Sequence, residues 1–334
     1  MKKHKICKIL LVILAIFLCV AFYELLGICV AYKKQPEVSN TTKKETKNGS
    51  WNECSENTER AVIIEKNPEA LLQRVRLIKN AKKEIILSTF AFQSDESGKL
   101  ILGALHDAAD RGVHIRLLVD GMESWIDMEG NPYFYGLSSH ENVEIKLYNK
   151  ANPLKPWKMM GRMHDKYLIA DGKRYILGGR NTYNYFLGDF PGHKNYDRDV
   201  LVVCDEPEKE NSVNQLLEYF ETIWEQEDSG YFHDNKKLAN RKSVKNAVLE
   251  LQNGYQKYFE ENKERICDTD YTDETFETEK IALVSNPIHT GSKEPVVWYQ
   301  LGELMKNAKN RVKIHTPYII CNDMMYNTWE EIAE

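Results

Sequence analysis

The sequence predicts an α/β fold in which a mixed β-sheet is flanked by helices. From residue 61 onward, short apolar runs alternate with longer amphipathic segments, which is the order typical of α/β layers. Hydrophobic residues make up 42% of the chain and aromatic residues 10%, which is ample for a packed core. A length of 334 residues leaves room for about two domains.

An unbroken apolar run at residues 9–23 lies close to the N-terminus. A helix over residues 6–32 would be about 40 Å long, which is enough to cross a hydrocarbon layer of about 30 Å. We interpret residues 1–34 as an uncleaved membrane anchor, with a cleaved signal peptide as the alternative. Because lysines flank both ends of the run, the positive-inside rule does not decide which side of the membrane the rest of the chain occupies.

A polar segment separates this anchor from the predicted domains. Residues 35–60 contain almost no aliphatic side chains, which indicates a linker. Beyond the linker, a proline opens a predicted helix over residues 68–81, and Asn67 is its expected N-cap. A second helix is predicted over residues 98–112, where Gly112 ends it.

The predicted strands are short apolar runs between and after these helices. They lie at residues 84–90, 114–121, 142–149, 165–171, 174–179 and 199–204. Together they give a first domain over residues 61–275, which includes an acidic helical segment at 207–266. A further strand predicted at 280–286 starts a second region, residues 276–334.

An internal repeat supports this division into domains. With an offset of 227 residues, residues 68–92 align with 295–319, and eight of the 25 positions are identical, including the run Lys-Asn-Ala-Lys. A generic amphipathic helix followed by a strand is the alternative explanation of the match. The repeat predicts that residues 276–334 begin a second copy of the first domain.

The net charge of −5 is unevenly distributed along the chain. Residues 1–34 contain six lysines and one glutamate, a net charge of +5, so the remaining 300 residues carry −10. Contacts to nucleic-acid phosphates normally need a basic surface. The charge therefore disfavours nucleic acid as a partner. The seven cysteines show no metal-ligand spacing, and no metal site is predicted.

Residues 162–181, RMHDKYLIADGKRYILGGRN, combine the side chains that a phosphoryl-binding site needs. On a strand, alternation places His164 and Lys166 on the same face. Lys166 and Asn181 can bind phosphoryl oxygens, and a neutral imidazole can attack phosphorus. Two glycines would let the backbone approach the ligand. The full pattern is H-x-K-x4-D followed by G-G-x-N, with residues His164, Lys166, Asp171, Gly178, Gly179 and Asn181.

These motifs resemble those of the phospholipase D superfamily, the H-K-D enzymes. The segments ALHDAADRGVHIRLLVDG, MHDKYLIADGKRYILGGRNTYNYFLG and AKNRVKIHTPYI are similar to segments of bacterial cardiolipin synthases. The resemblance implies a covalent phosphohistidine mechanism without a metal or another cofactor. His164 is then the nucleophile, and Lys166 and Asn181 bind the phosphate. Asp171 is expected to brace the fold rather than touch the substrate.

A nucleophilic imidazole needs its second ring nitrogen held by a partner. Asp199, at the head of a predicted strand, stands where relatives carry such a carboxylate, and Asp197 is the alternative. The loop ahead of the site, residues 155–162, is basic and amphipathic, which suits a surface of anionic phospholipid. An ordinary surface loop is the alternative explanation of that composition.

The resemblance implies a membrane-tethered phosphatidyltransferase of the bacterial cell membrane, which makes cardiolipin and glycerol from two molecules of phosphatidylglycerol. A phospholipase D-type lipid hydrolase, a nuclease and a non-catalytic fragment are the alternatives. In this family two motifs face each other, and the second imidazole serves as general acid.

The repeat offset places the second imidazole at about position 391, beyond residue 334. We therefore expect this chain to be an N-terminal portion with one motif. We expect it to be inactive unless a second lobe, from the same full-length chain or from a dimer partner, completes the site.

Overall fold

The computed structural model describes residues 2–49, 59–207, 211–233, 235–316 and 318–333. Part of the predicted linker, with Cys54, lies outside the described residues. The helices are α1 (Lys2–Tyr32), α2 (Asn40–Asn48), α3 (Asn67–Asn80), α4 (Glu96–Asp110), α5 (Gly121–Asp127), α6 (Pro132–Ser138), α7 (Ser212–Trp224), α8 (Lys242–Glu261), α9 (Lys263–Cys267), α10 (Val296–Lys306) and α11 (Asp323–Ala333). The strands are β1 (Arg60–Ile64), β2 (Glu84–Thr89), β3 (His114–Asp120), β4 (Val143–Tyr148), β5 (Tyr167–Ala170), β6 (Arg174–Gly178), β7 (Asp199–Val203), β8 (Ser229–Tyr231) and β9 (Phe276–Glu277).

These strands form one mixed sheet in the order β8-β4-β3-β2-β5-β6-β7-β1-β9. β2, β3 and β4 run parallel to one another, and the remaining neighbours are antiparallel. The parallel part is built from helix-connected strands, and the antiparallel part from hairpins and longer connections. The predicted α/β class with a mixed sheet is confirmed.

Helices cover both faces of the sheet, and the alternation of side chains along β2 shows how the two cores arise. Ile85 and Leu87 pack in the core that contains residues of α3, α4 and α8. Ile86 points to the opposite face, into the core that contains residues of α7. Strands buried on both faces are nearly continuous apolar runs, which explains why the six strands predicted before residue 205 all form.

The start of α3 differs from the prediction by one residue. Asn67 lies inside the first turn, and Lys66 is the N-cap residue, without a side-chain hydrogen bond to the helix. The amide of Asn67 is used elsewhere. Its oxygen accepts a hydrogen bond from Arg180 Nε at 3.2 Å, and its nitrogen donates to the carbonyl oxygen of Asn195 at 2.9 Å.

The predicted linker and the predicted helical segment carry more regular structure than the sequence predicts. The predicted linker contains α2, which Ser39 caps by accepting a hydrogen bond from the backbone N–H of Thr42. The predicted helical segment 207–266 contributes the strand β8 to the sheet edge beside β4. β8 has only three residues and β9 has two, which is too short for a recognisable alternation.

The region predicted as a second copy of the domain forms helices without a sheet of its own. α10 forms inside the predicted repeat helix. The prediction of a strand at 280–286 was wrong, because these residues form no hydrogen-bonded ladder. The described residues of 307–322 likewise contain no strand. A strand needs a neighbour to satisfy its backbone groups, and the described residues supply none for these segments.

Within the described residues, α1 is the one helix long and apolar enough to cross a membrane, over Lys5–Tyr32. Its C-terminal half contacts the loop ahead of the candidate site. The hydroxyl of Tyr23 donates to the carbonyl oxygen of Leu154 at 3.0 Å. A Cβ on Gly27 would lie 2.5 Å from Pro156 Cγ, so only glycine allows the helix to approach this closely.

Candidate active site

The candidate site lies where β5 begins and its antiparallel neighbour β6 ends. The sequence predicts His164 and Lys166 on the strand itself. In the structure they precede β5, which starts at Tyr167. The pairing nevertheless reaches Lys166, whose carbonyl oxygen accepts a hydrogen bond from the Gly178 N–H at 3.1 Å. The antiparallel arrangement therefore brings the H-x-K segment and the G-G-x-N segment to one edge of the sheet.

Phe90, which directly follows β2, is the centre of a cluster of cationic and imidazole groups. The His164 ring centroid lies 4.6 Å from the Phe90 centroid. Lys166 Nζ lies 5.3 Å and Arg162 Cζ 5.2 Å from the same centroid. A cation near an aromatic face is attracted by the ring quadrupole. Phe90 therefore holds these three side chains around one surface.

Arg162 is fixed beside the imidazole by Asp120, the last residue of β3. The Asp120 carboxylate accepts hydrogen bonds from Arg162 Nε at 2.9 Å and from the backbone N–H of Met163 at 3.0 Å. Asp120 itself is buried at the start of α5, where it accepts from the backbone N–H of Met122. This arrangement orients the chain immediately before His164.

Lys166 is a buried ammonium, with 5% of its surface exposed. Its Nζ donates to the carbonyl oxygen of His164 at 2.6 Å. Burial lowers the pKa of Lys166 to about 8, against the attraction of the carboxylates Asp165, Asp197 and Asp120. Lys166 is thus charged at neutral pH and loses its proton in mildly alkaline solution.

The imidazole of His164 is exposed, and within the described residues it has no hydrogen-bond partner. Partial burial lowers the pKa of His164 below its usual value, and the charges of Lys166 and Arg162 lower it further. Asp120 acts in the opposite direction. The ring is therefore neutral at neutral pH, which is the form that can attack an electrophile.

Asn181 lies beside this cluster through its contact with the residue that follows Phe90. Its side-chain oxygen accepts a hydrogen bond from the Ala91 N–H at 3.2 Å. The oxygen is thereby occupied, while the NH₂ group has no partner among the described residues. An amide held in this way presents two donors to an incoming oxygen.

The two glycines of the motif make room for neighbouring carboxylates. A Cβ on Gly178 would lie 2.0 Å from Asp199 Oδ1, and a Cβ on Gly179 would lie 2.1 Å from Asp197 Oδ2. The sequence-based expectation that they admit a ligand to the backbone stays a prediction. Any side chain at either position would displace a neighbouring carboxylate.

Asp199 does not bind His164 in this structure. Its Oδ2 lies 2.8 Å from Arg74 and 3.2 Å from Arg180, and all three side chains are buried. Its Oδ1 is buried without a hydrogen bond in the described part of the chain. Asp199 therefore neutralises two buried guanidinium groups. The alternative carboxylate, Asp197, attracts the ammonium of Lys166.

Asp171 lies at the far end of β5 from the imidazole. It adopts a left-handed backbone conformation, with φ of 54°, in the turn before β6. Its carboxylate accepts hydrogen bonds from the backbone N–H groups of Lys82, Lys83 and Glu84 at 2.7–3.1 Å. These bonds tie the turn to the start of β2. Asp171 braces the fold, as the sequence predicts.

A cavity of about 370 Å³ opens beside the imidazole. Asp165 lies in its wall and accepts a hydrogen bond from the Tyr219 hydroxyl at 2.7 Å. Residues 283–286 and Lys293, far along the chain, also line the cavity. Sequence reasoning missed Asp165, although it lies inside the motif, and no sequence signal marks Lys293. The lining includes Arg162, His164, Lys166 and Gly178, whereas Gly179 and Asn181 lie outside it.

Comparisons with known proteins find similar sequences and structures for part of this chain. The family model "Cardiolipin synthase, PLD-like domain" matches residues 74–224, which include the H-x-K and G-G-x-N segments. An uncharacterized protein of Helicobacter pylori (strain ATCC 700392 / 26695) is 29% identical over 288 residues, covering 78% of this chain and 54% of that protein. Cardiolipin synthase C of Escherichia coli (strain K12) is 29% identical over 171 residues, covering 47% of this chain and 34% of that protein.

Among solved structures, phosphatidylserine synthase of Haemophilus influenzae Rd KW20 aligns with a TM-score of 0.42 and 16% sequence identity. The alignment covers 74% of this chain and 52% of that chain. The present chain therefore spans about half or less of the length of each of these relatives.

Proposed function

We propose, from the premise that this chain is a cardiolipin synthase-like protein of the phospholipase D superfamily, that its site transfers phosphatidyl groups through a phosphohistidine. The expected donor is phosphatidylglycerol, and the expected acceptor is a second phosphatidylglycerol. One observation carries the proposal. An exposed, neutral His164 stands beside the buried ammonium of Lys166 in a cavity large enough for a phosphodiester headgroup.

In the first step, a ring nitrogen of His164 forms a bond to the phosphorus of the donor lipid. The bond from phosphorus to the glycerol oxygen breaks, and that oxygen leaves with the electron pair and takes up a proton from a general acid. In the second step, the hydroxyl oxygen of the acceptor displaces the imidazole. Lys166 and the NH₂ group of Asn181 stabilise the non-bridging oxygens during both displacements.

The position of α1 supports a site that works on lipids at a membrane surface. Its C-terminal half contacts the loop at residues 154–157. About 21 residues of α1, roughly 31 Å of helix, precede Tyr23. Leu154, Trp157 and Met160 in and after this loop are exposed apolar side chains. Exposed apolar and aromatic groups close to an anchor are typical of a surface that meets the bilayer interface.

The first step can be tested without a general acid. A phosphatidyl ester of p-nitrophenol releases a phenolate that needs no proton, so loading of His164 depends on the nucleophile and the phosphate ligands alone. We expect the 334-residue chain to release one equivalent of nitrophenolate rapidly and to carry the phosphatidyl label. The label should be stable in alkali and labile in acid, as a phosphohistidine is.

His164→Ala should abolish both the burst and the label, a loss of about 10³-fold or more. His114→Ala is the matched control. His114 lies at the opposite end of β3 from Asp120, and it pairs with Glu84 and Glu144 on the surface. Labelling of the His164→Ala protein, or the absence of any labelled protein from the unsubstituted chain, would contradict the proposal.

A further inference from the structure

Lys293 is a half-buried ammonium in the wall of the cavity that also contains His164 and Lys166. Within the described residues its Nζ has no hydrogen bond and no ion pair. Burial lowers the pKa of Lys293, and the only carboxylate that attracts it appreciably is Asp165. Asp165 already accepts a hydrogen bond from the Tyr219 hydroxyl. A charge removed from water without a partner is costly, which points to an anionic ligand.

The segment that carries Lys293 is held in place on both sides. The backbone N–H of Leu283 donates to Gln215 at 2.8 Å, and the carbonyl oxygen of Ile288 accepts from Gln226 at 2.9 Å. Next to Lys293, the carboxylate of Glu294 accepts hydrogen bonds from the backbone N–H of Ser39 and the hydroxyl of Thr42. The ammonium is therefore presented to the cavity by a fixed wall.

The two lysines of the cavity are not equivalent. Lys166 donates a hydrogen bond to the backbone carbonyl oxygen of His164. This is the position of a ligand to the phosphoryl group under attack. Lys293 also lines the cavity, and among the described hydrogen bonds and ion pairs it has no contact with His164, Lys166 or Asn181. Arg162, the third cation of the lining, is already paired with Asp120. Lys293, which Asp165 attracts without forming an ion pair, thus remains available to a second anionic group.

We infer that Lys293 binds the phosphate of the acceptor, so that the site selects an alcohol that itself carries a phosphodiester over water or glycerol. This inference rests on the proposed function, because it assigns a ligand to the second step of the same reaction. In that step the acceptor oxygen bonds to phosphorus, the nitrogen–phosphorus bond breaks with its electron pair returning to His164, and the hydroxyl proton passes to solvent.

The test begins with the full chain loaded at His164 from the p-nitrophenyl ester. The loaded protein is then mixed with water alone, with glycerol, or with dihexanoyl phosphatidylglycerol, a soluble acceptor. Discharge of the label is followed for each. We expect Lys293→Gln to lower the discharge rate with the anionic acceptor relative to glycerol by about tenfold, the usual value of one charge-assisted hydrogen bond.

Lys293→Arg should retain most of the preference for the anionic acceptor over glycerol, because the positive charge remains. Lys280→Gln is the matched control, since Lys280 is an exposed lysine of the same region outside the cavity lining. An unchanged preference in Lys293→Gln would overturn the inference. Slower loading with an unchanged preference would also overturn it, because Lys293 would then be a ligand of the donor.

A binding measurement separates this inference from the proposed function. The His164→Ala protein cannot be loaded, yet its affinity for dihexanoyl phosphatidylglycerol should fall about tenfold when Lys293→Gln is added. Equal affinity of the two proteins would overturn the inference even if His164 is labelled normally. A fall in affinity without any labelling of the unsubstituted chain would overturn the phosphohistidine proposal and leave Lys293 as an anion-binding residue.

Discussion

The two copies of the internal repeat have similar sequences and different structures. Residues 68–92 form α3 and β2, and the Leu87 side chain on β2 is 3% exposed. Residues 295–319 form α10, but the segment after it has no strand in its described part. Its Ile314, the counterpart of Leu87, is 49% exposed. A strand sequence thus becomes a strand only where other strands accept its hydrogen bonds and helices cover its faces.

A second difference between the two copies is a buried ion pair that, among the described residues, only the first copy forms. Arg74 on α3 is buried and paired with Asp199 of β7, so the first copy is tied into the sheet by an ion pair as well as by apolar packing. The counterpart of Arg74 in the second copy is Leu301, which is exposed. The first copy therefore depends on distant partners in a way that the second does not.

Amide hydrogen exchange should show the largest difference between the copies. The amides of Ile86 and Leu87 lie in the middle of the sheet, so we expect them to exchange only on global unfolding. The amides of Lys313 and Ile314 lack a ladder and should exchange more than about 10³-fold faster. Comparable protection in the two segments, measured by NMR or mass spectrometry, would break the comparison.

Asp199→Asn should produce the largest loss of stability. The substitution leaves Arg74 and Arg180 buried without their shared counter-charge, and breaking a buried pair in this way costs about 3–5 kcal/mol. The free energy of unfolding from denaturant titration is the measurement. Leu301→Ala is the control from the second copy, expected to change it by less than about 0.5 kcal/mol.

A matched pair of alanine substitutions tests packing alone. Leu87→Ala removes a buried side chain and should lower the free energy of unfolding by about 2–5 kcal/mol. Ile314→Ala, at the equivalent repeat position, should change it by less than about 0.5 kcal/mol. Equal losses would show that the second copy is packed in solution as the first is.

The smallest expected effect is the pH dependence of the site that the first copy helps to build. Loading of His164 needs a neutral imidazole and a charged Lys166, whose pKa is about 8. Between pH 7 and pH 8 the rate should fall about twofold, and it should fall further above pH 8. On the acid side, the rate should fall only below the usual pKa of histidine, because the pKa of His164 is lowered. Lys166→Arg should remove the alkaline limb, since arginine stays charged.

Much of the fold follows from the sequence because the central strands are largely apolar runs covered on both faces. β2 and β3 were predicted within one or two residues of their bounds for this reason. β1 was missed, although it pairs with β7 over five residues, because it directly follows a polar segment. The strand predicted at 280–286 failed for the opposite reason: its composition is suitable, but no neighbour is present within the described residues.

The candidate site was predictable only as far as its residues are close together in the chain. His164, Lys166 and Asn181 were identified from one segment of 20 residues. Asp120 and Phe90 come from the ends of other strands, and the sequence does not state which strands adjoin. Asp199 was assigned to the imidazole because it stands at the head of a predicted strand, where relatives carry such a carboxylate. The sequence could not show that two buried arginines compete for its carboxylate.

If α1 crosses a membrane, as proposed, the contact between Gly27 and Pro156 fixes the height of the candidate site above it. The linker at residues 35–60 then does not set that height, so changing its length should leave access to lipids unaltered. A four-residue insertion in α1 before Tyr23 would instead raise the site by about 6 Å. A headgroup would have to leave the bilayer by that additional distance to be reached.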